Sequence, residues 1–228
     1  MAGAPRLTHR YQTAMQTLRR QWEPKVAADV AAYLRGALAR TLATVPKAAI
    51  PSPPPAPSEA AILRRTLGPW YRRALGRLQD TAEGMGIAGE LHDVTTAQYL
   101  AEAGTRIRGI AETTRQQVMA SLADGYAQHE GYDVLARRLT SLPAFSATRA
   151  RLIAKTELGS AANLAAIYVY DASPAVDGVL IYDGTGDPIC APYAGRRVSL
   201  TEARDVPLLG HPACRRSFAP LIDYRGGA

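Results

Sequence analysis

Cysteine is nearly absent from this 228-residue chain, with two residues, Cys190 and Cys214, both near the C-terminus. So few cysteines exclude a secreted disulfide scaffold. Large aromatics are scarce as well, two Trp and two Phe beside eleven Tyr. No stretch reaches the ~18 consecutive apolar residues of a membrane span, so none is expected. The opening Met-Ala-Gly-Ala-Pro-Arg runs into a polar segment without a signal-peptide core, and an intracellular site of assembly is the expectation. Neither a P-loop nor a dinucleotide fingerprint occurs, and Gly184-Thr185-Gly186 reads as a turn, not a phosphate cradle.

What the chain does have is alanine and arginine in quantity, a composition that favours helix. Twenty-seven Lys and Arg against 20 Asp and Glu leave a net charge of +7. That excess suits a polyanionic neighbour such as DNA, and it is equally ordinary for a helical protein. Residues 1–45 read as a helical arm. Tyr11, Met15, Leu18 and Trp22 form one apolar stripe; Val26, Val30, Leu34, Leu38 and Leu42 continue it at steps of four. Pro24 marks an expected break between two helices.

Residues 46–57 carry Pro46, Pro51, Pro53, Pro54, Pro55 and Pro57. Such a segment loses backbone donors and fixes φ, so it reads as a semi-rigid linker able to cross roughly 35 Å. Ser58 is the expected N-cap of a helical region over 58–144. Gly68-Pro69 is expected to kink or split its first helix. Arg64, Arg65, Arg72, Arg73 and Arg77 lie here with no acid between Glu59 and Asp80. They form the candidate DNA or partner contact, against the plainer reading of a solvated helix face. Gly84, Gly86 and Gly89 mark a loop. Helices are then expected over 93–110 and 113–126, with a short one ending before Pro143.

Residues 145–228 change character. A long helix from Ala147 to about Tyr170 precedes a short apolar run at 179–182, bounded by Asp-Gly pairs, which reads as a strand. Segments 196–200 and 217–219 are the other strand candidates. The expected class is α+β, mainly α: a helical arm and helical body, with the long helix packed on a small irregular C-terminal sheet.

Both cysteines sit in compact turn motifs, Asp187-x-x-Cys190 and His211-x-x-Cys214. Two ligand-type pairs with two-residue gaps, joined by a loop, are how a small metal knuckle is written. The layout also suits a Cys190–Cys214 disulfide or two buried thiols. Glu157 reads as a structural tie between the long helix and the loops after it, because no second carboxylate stands at a defined spacing. A Cys190 nucleophile with His211 as base ranks below a structural clasp. His9, His92 and His129 are isolated.

From Ala147 to Pro220 the chain resembles the phage Mu F-like minor head protein family, also called the phage head morphogenesis family. Four pieces carry the likeness, in order. Arg151-Leu-Ile-Ala-Lys155-Thr156-Glu157, followed by Asn163, is similar to the family's Arg-x-x-Ala-Arg-Thr-Glu helix. Val179-Leu-Ile-Tyr182 is similar to its strand. Asp187-Pro-Ile-Cys190, with Gly195 beyond, resembles its Cys-Pro-x-Cys turn. His211-Pro-Ala-Cys214-Arg215-Arg216 resembles its His-Pro-x-Cys-Arg-Cys turn. With the preceding helices from Thr113 to Leu142, which also fit the family's helical lead-in, the likeness covers about half the chain. Asp187 and Arg216 stand where the family has its first and last Cys. Set against that pattern, a clasp of Asp187, Cys190, His211, Cys214 and Arg216 is expected, with an Asp187–Arg216 ion pair replacing a Cys–Cys contact. A metal-free clasp is the leading expectation; zinc on Asp187, Cys190, His211 and Cys214, or a Cys190–Cys214 disulfide, are the alternatives.

The resemblance implies a structural virion component and not an enzyme. It would be assembled in the host cytoplasm and sit in the capsid interior or at the portal vertex. It would aid head assembly, DNA packaging or ejection, with portal protein as partner and major capsid protein, scaffolding protein or packaged DNA as further contacts. The competing class is a small basic nucleic-acid-binding protein or metal-dependent nuclease.

Overall fold

A computed structural model describes the backbone of residues 4–44, 56–183 and 186–222. Helices dominate: α1 (Ala4–Thr44), α2 (Ala56–Gly84), α3 (Asp93–Ala127), α4 (Tyr132–Thr140), α5 (Ala147–Asp171) and α6 (Leu200–Asp205). Three strands follow α5 in the chain: β1 (Gly178–Tyr182), β2 (Arg197–Ser199) and β3 (Ser217–Leu221). The class is therefore α+β, mainly α, as the composition and periodicity indicated.

Several elements differ from expectation, each for a physical reason. Pro24 lies inside α1 and Pro69 inside α2. A proline in a helix interior loses one hydrogen bond and costs roughly 3 kcal/mol. Buried apolar residues on both sides, Leu18 with Val26 and Leu67 with Trp70, keep each helix in register across it. The helices expected over 93–110 and 113–126 are one, α3, because Ile107, Ala111, Val118 and Leu122 keep a single buried face through the junction. Ser58 falls within the first turn of α2, which opens at Ala56. Of the Pro-rich segment 46–57, residues 46–55 lie outside the described residues, as do Gly184 and Thr185.

Compactness divides the chain into two units. The first draws on the residues up to Glu23, on Trp70–Ala101 and on the chain from Lys155 onward; the second draws on Pro24–Pro69 and Glu102–Ala154. The divisions fall immediately before Pro24 and immediately after Pro69. They run across, not along, the linear boundaries at 45, 58 and 145.

The second unit is helical. Val118, Leu122, Leu135 and Leu139 form a core cluster, with Leu38, Leu42, Tyr126 and Phe145 packed around it. Arg40 grips the nearly buried Glu59 with two hydrogen bonds of 2.7 and 2.8 Å. Arg138 binds Asp124 at 2.5 Å and also pairs with Glu130, closing the turn from α3 into α4.

The first unit is built on α5. Every residue from Glu157 to Tyr170 is buried. A helix covered on all sides is a core helix, and its small residues Gly159, Ser160, Ala161, Ala162, Ala165 and Ala166 let neighbours come close. Tyr99 packs its ring against Tyr71 and Tyr168, each with centroids 5.9 Å away. Tyr11 meets Tyr170 edge-on at 6.1 Å, and the Tyr170 hydroxyl donates to the Phe218 carbonyl at 3.1 Å. The sheet order is β2-β1-β3, with β1 antiparallel to both neighbours. Val179 faces Val198 on one side and Pro220 on the other. Pro220, expected to end the third strand, lies within β3; an edge strand tolerates the missing N–H. The short helix α6 was not foreseen. It is announced by Ser199-x-x-Glu202, a capping box in which each residue's side chain caps the other's backbone N–H.

Burial raises the Tyr11, Tyr99 and Tyr170 phenols well above the usual range. Burial, followed by the Glu59 carboxylate, does the same to Tyr33. The folded chain therefore holds protons that the unfolded chain releases near pH ~10, so this part of its stability is present below that pH and lost as pH rises above it. In an alkaline titration, the last fraction of tyrosinate absorbance should appear together with the loss of helical circular dichroism. Full ionisation with the helices intact would contradict this packing.

Candidate functional site

The loop after β1 and the loop before β3 carry the two cysteine motifs, and both fold as tight turns. In the first, the Asp187 carbonyl accepts from Cys190 N at 3.2 Å and Ala191 N at 2.9 Å. Its Oδ1 accepts from Ile189 N at 3.1 Å and Cys190 N at 3.0 Å, the self-capping that favours aspartate at a turn start. In the second, the His211 carbonyl accepts from Cys214 N at 3.2 Å, and Ala213 takes φ of 60° to complete the reversal.

The two turns meet. Cys190 Sγ lies 3.3 Å from Cys214 Sγ, both residues being buried. Their separation is that of two thiols in contact, against about 2.05 Å for a disulfide bond. His211 Nε2 lies 3.1 Å from Asp187 Oδ2, and His211 Nδ1 lies 2.9 Å from the Pro212 carbonyl. One ligand atom each from Cys190, His211 and Cys214 falls within 4.8 Å of the others. The same holds for Asp183, Asp187 and Cys190. Gly210 passes so close that a Cβ there would lie 2.6 Å from Cys190 Sγ, so this backbone is seated on the sulfur.

All five residues of the expected clasp are thus drawn together, but not in the expected pairs. Asp187 engages His211, and the anticipated Asp187–Arg216 ion pair does not form. Arg216 is wholly buried. Its Nη1 donates to the Pro207 carbonyl at 2.7 Å and its Nη2 to Cys190 Sγ at 3.5 Å. Its guanidinium lies 4.3 Å from the centre of the Tyr193 ring. Opposite charge at two sequence positions says nothing of which turn each side chain faces; the backbone directs Asp187 outward to His211 and Arg216 inward to sulfur. His211 likewise spends both nitrogens on Asp187 and Pro212, so it is not hydrogen-bonded to either thiol as a base would be.

The electrostatics separate the two cysteines. Burial, then the Cys214 thiol, pushes the Cys190 thiol up to about 11. Burial opposes the Cys214 thiolate too, but N–H groups of Arg216 and Gly210 and the Cys190 thiol outweigh it, and the net direction is down. The Pro212 carbonyl, then the Asp187 carboxylate, holds the His211 pKa above its usual value.

The long helix anchors the clasp. Asn163 Nδ2 donates to the Leu208 carbonyl at 2.7 Å and the Arg216 carbonyl at 3.0 Å. Arg19 adds a third bond, 3.0 Å to the same Arg216 carbonyl. Thr156 Oγ1 accepts from Ala213 N at 3.0 Å. Glu157 is buried and accepts from the Tyr71 hydroxyl at 2.5 Å, which ties α5 to α2. Beside Cys214 lies a cavity of about 530 Å³ whose charged lining is Arg19, Arg20, Lys155 and Arg215 with Glu23. Thr156 belongs to the helical piece that carries the resemblance; Arg19 was not among the candidate site residues, and nothing local marks its role before the fold is known.

The arginine run divides. Arg64 and Arg65 belong to the second unit, and Arg72, Arg73 and Arg77 to the first. All five are exposed, and Arg73 stacks over Trp70 at 4.7 Å. Among the described residues no helix is long and apolar enough to cross a membrane. No protein-family model, curated protein sequence or solved structure matches the chain.

Removing Asn163 strips a donor from two enclosed carbonyls, so Asn163→Ala should cost about 2 kcal/mol or more in urea denaturation. Tyr71→Phe, which leaves a buried carboxylate short of one donor, should cost about 1–3 kcal/mol. Arg215→Ala at an exposed position should stay within about 0.5 kcal/mol of the parent. Equal stability for all three would contradict the anchoring role of α5.

Proposed function

We propose that this chain is a minor head protein of a tailed bacteriophage, bound at or near the portal vertex, where it aids head assembly, DNA packaging or ejection. Its action is binding, not catalysis. The observation that carries the reading is the convergence of three of the four sequence pieces, the helix and the two cysteine turns, in one place. The helix bearing Thr156, Glu157 and Asn163, the strand β1 and the two cysteine turns were read as an ordered set resembling the Mu F-like family. In the fold, Thr156 and Asn163 bond directly to the second turn, and the two turns close on each other through Cys190, Cys214, Asp187 and His211. Pieces that share a role are expected to share a site, and pieces alike by accident are not.

On this reading the clasp is a structural fastener that leaves the helical surfaces for the portal, with capsid or scaffolding protein and packaged DNA as further contacts. The exposed Arg64, Arg65, Arg72, Arg73 and Arg77 favour a second reading, a nucleic-acid-binding protein. Co-expression with the portal protein of the same genome separates the two. The virion reading expects a complex that co-elutes through size exclusion and persists at moderate salt. Separate elution, with DNA affinity that falls steeply as salt rises, would replace it with the nucleic-acid reading. DNA cleavage abolished by Asp187→Ala or His211→Ala would replace it with a metal-dependent nuclease.

A further inference from the structure

We propose that the clasp is a zinc site, with Cys190 Sγ, Cys214 Sγ and the His211 imidazole as its protein ligands and Asp187 beside the imidazole. The proposal stands apart from the virion reading and rests on geometry. Zinc takes thiolate at about 2.3 Å and imidazole or carboxylate at about 2.0–2.2 Å, in a tetrahedron. Ligand atoms in such a shell stand about 3.8 Å apart for two sulfurs and about 3.4 Å for nitrogen and oxygen, by simple tetrahedral geometry from those bond lengths. Here the sulfurs are 3.3 Å apart and the nitrogen and oxygen 3.1 Å, with the imidazole within 4.8 Å of both sulfurs. The ligand atoms of Cys190, Cys214 and His211 are thus close enough to share one ion, with Asp187 next to the imidazole.

The surrounding hydrogen bonds are those a metal site uses. A ligating histidine ordinarily donates its other ring N–H to a carbonyl or carboxylate. His211 Nδ1 faces the Pro212 carbonyl at 2.9 Å, which leaves Nε2, beside Asp187, as the nitrogen to take a metal. Asp187 commits Oδ1 to the turn and turns Oδ2 to the site. Both sulfurs accept N–H groups, Cys214 from Arg216 N at 3.4 Å and Cys190 from Arg216 Nη2 at 3.5 Å. Such bonds suit thiolates better than thiols.

The charges around the sulfurs are compatible with an ion. Arg216 is wholly buried, and its guanidinium is bonded to a carbonyl, a sulfur and a ring face. Asp183 and Asp187 each place a carboxylate oxygen within 4.8 Å of Cys190 Sγ. With a divalent ion, two thiolates and a neutral imidazole the shell itself is neutral, and the guanidinium beside Cys190 Sγ favours the thiolate.

The test uses the full chain and metal alone. Protein purified under reducing conditions should carry about one zinc per chain. After zinc is removed, Co²⁺ should restore a tetrahedral visible spectrum with thiolate-to-cobalt charge transfer. Cys214→Ser should abolish the charge-transfer band or shift it strongly. Because that variant has a buried substitution, His211→Gln and Asp187→Asn at partly exposed turns serve as second variants. Each should weaken zinc at least about ten- to a hundredfold while helical circular dichroism is kept. Arg215→Ala should bind zinc as the parent does. Two titratable thiols in native protein that takes up neither zinc nor cobalt would overturn the proposal. So would a Cys190–Cys214 disulfide formed under those conditions, or zinc affinity unchanged in both turn variants.

Discussion

A guanidinium removed from water must be compensated on every side, and in this protein the burial of Arg216 organises what lies around it. Its backbone N–H bonds Cys214 Sγ, and its carbonyl accepts from Arg19 and Asn163. Its side chain reaches Pro207, Cys190 and Tyr193. One residue therefore ties α1, α5, the loop after α6 and both cysteine turns. No apolar side chain of similar volume could make these bonds, and lysine could not place donors in two directions from a flat group. Arg216 also leads directly into β3, so the sheet and the clasp are fixed by the same short stretch.

The second constraint is the burial of α5. Its alanine-rich surface lets the Tyr11, Tyr71 and Tyr99 rings of neighbouring helices approach, where Tyr168 and Tyr170 of α5 itself meet Tyr99 and Tyr11, and it presents Thr156 and Asn163 to the second turn. This core thus combines small residues on α5 with tyrosines from its own C-terminal end and from its neighbours. This explains how a chain with two Trp and two Phe fills its interior.

Much of this was legible beforehand, and the misses follow a pattern. The long helix, the apolar run at 179–182 and the turn-forming Asp-x-x-Cys and His-x-x-Cys segments all depend on local periodicity or turn chemistry, which a sequence displays. Pro24 and Pro69 misled because a local rule was overruled by packing on both sides of each proline. The capping box at Ser199 and Glu202 was present in the letters, but the apolar Val198 and Leu200 beside it suggested a strand. The composition of the clasp could be read; its pairing could not. Asp187 and Arg216 are opposite in charge, and only the folded turns reveal that the carboxylate faces an imidazole and the guanidinium faces sulfur. The contributions of Arg19 and Tyr71 come from segments distant in sequence and left no local trace.

Both the charge of Arg216 and the convergence of the two turns lead to one question, what balances the sulfurs. Zinc-edge X-ray absorption on the purified chain answers it most directly. The account predicts two sulfur neighbours at about 2.3 Å and two lighter neighbours at about 2.0–2.2 Å. A spectrum with only nitrogen and oxygen neighbours, or with four sulfurs shared between chains, would contradict it.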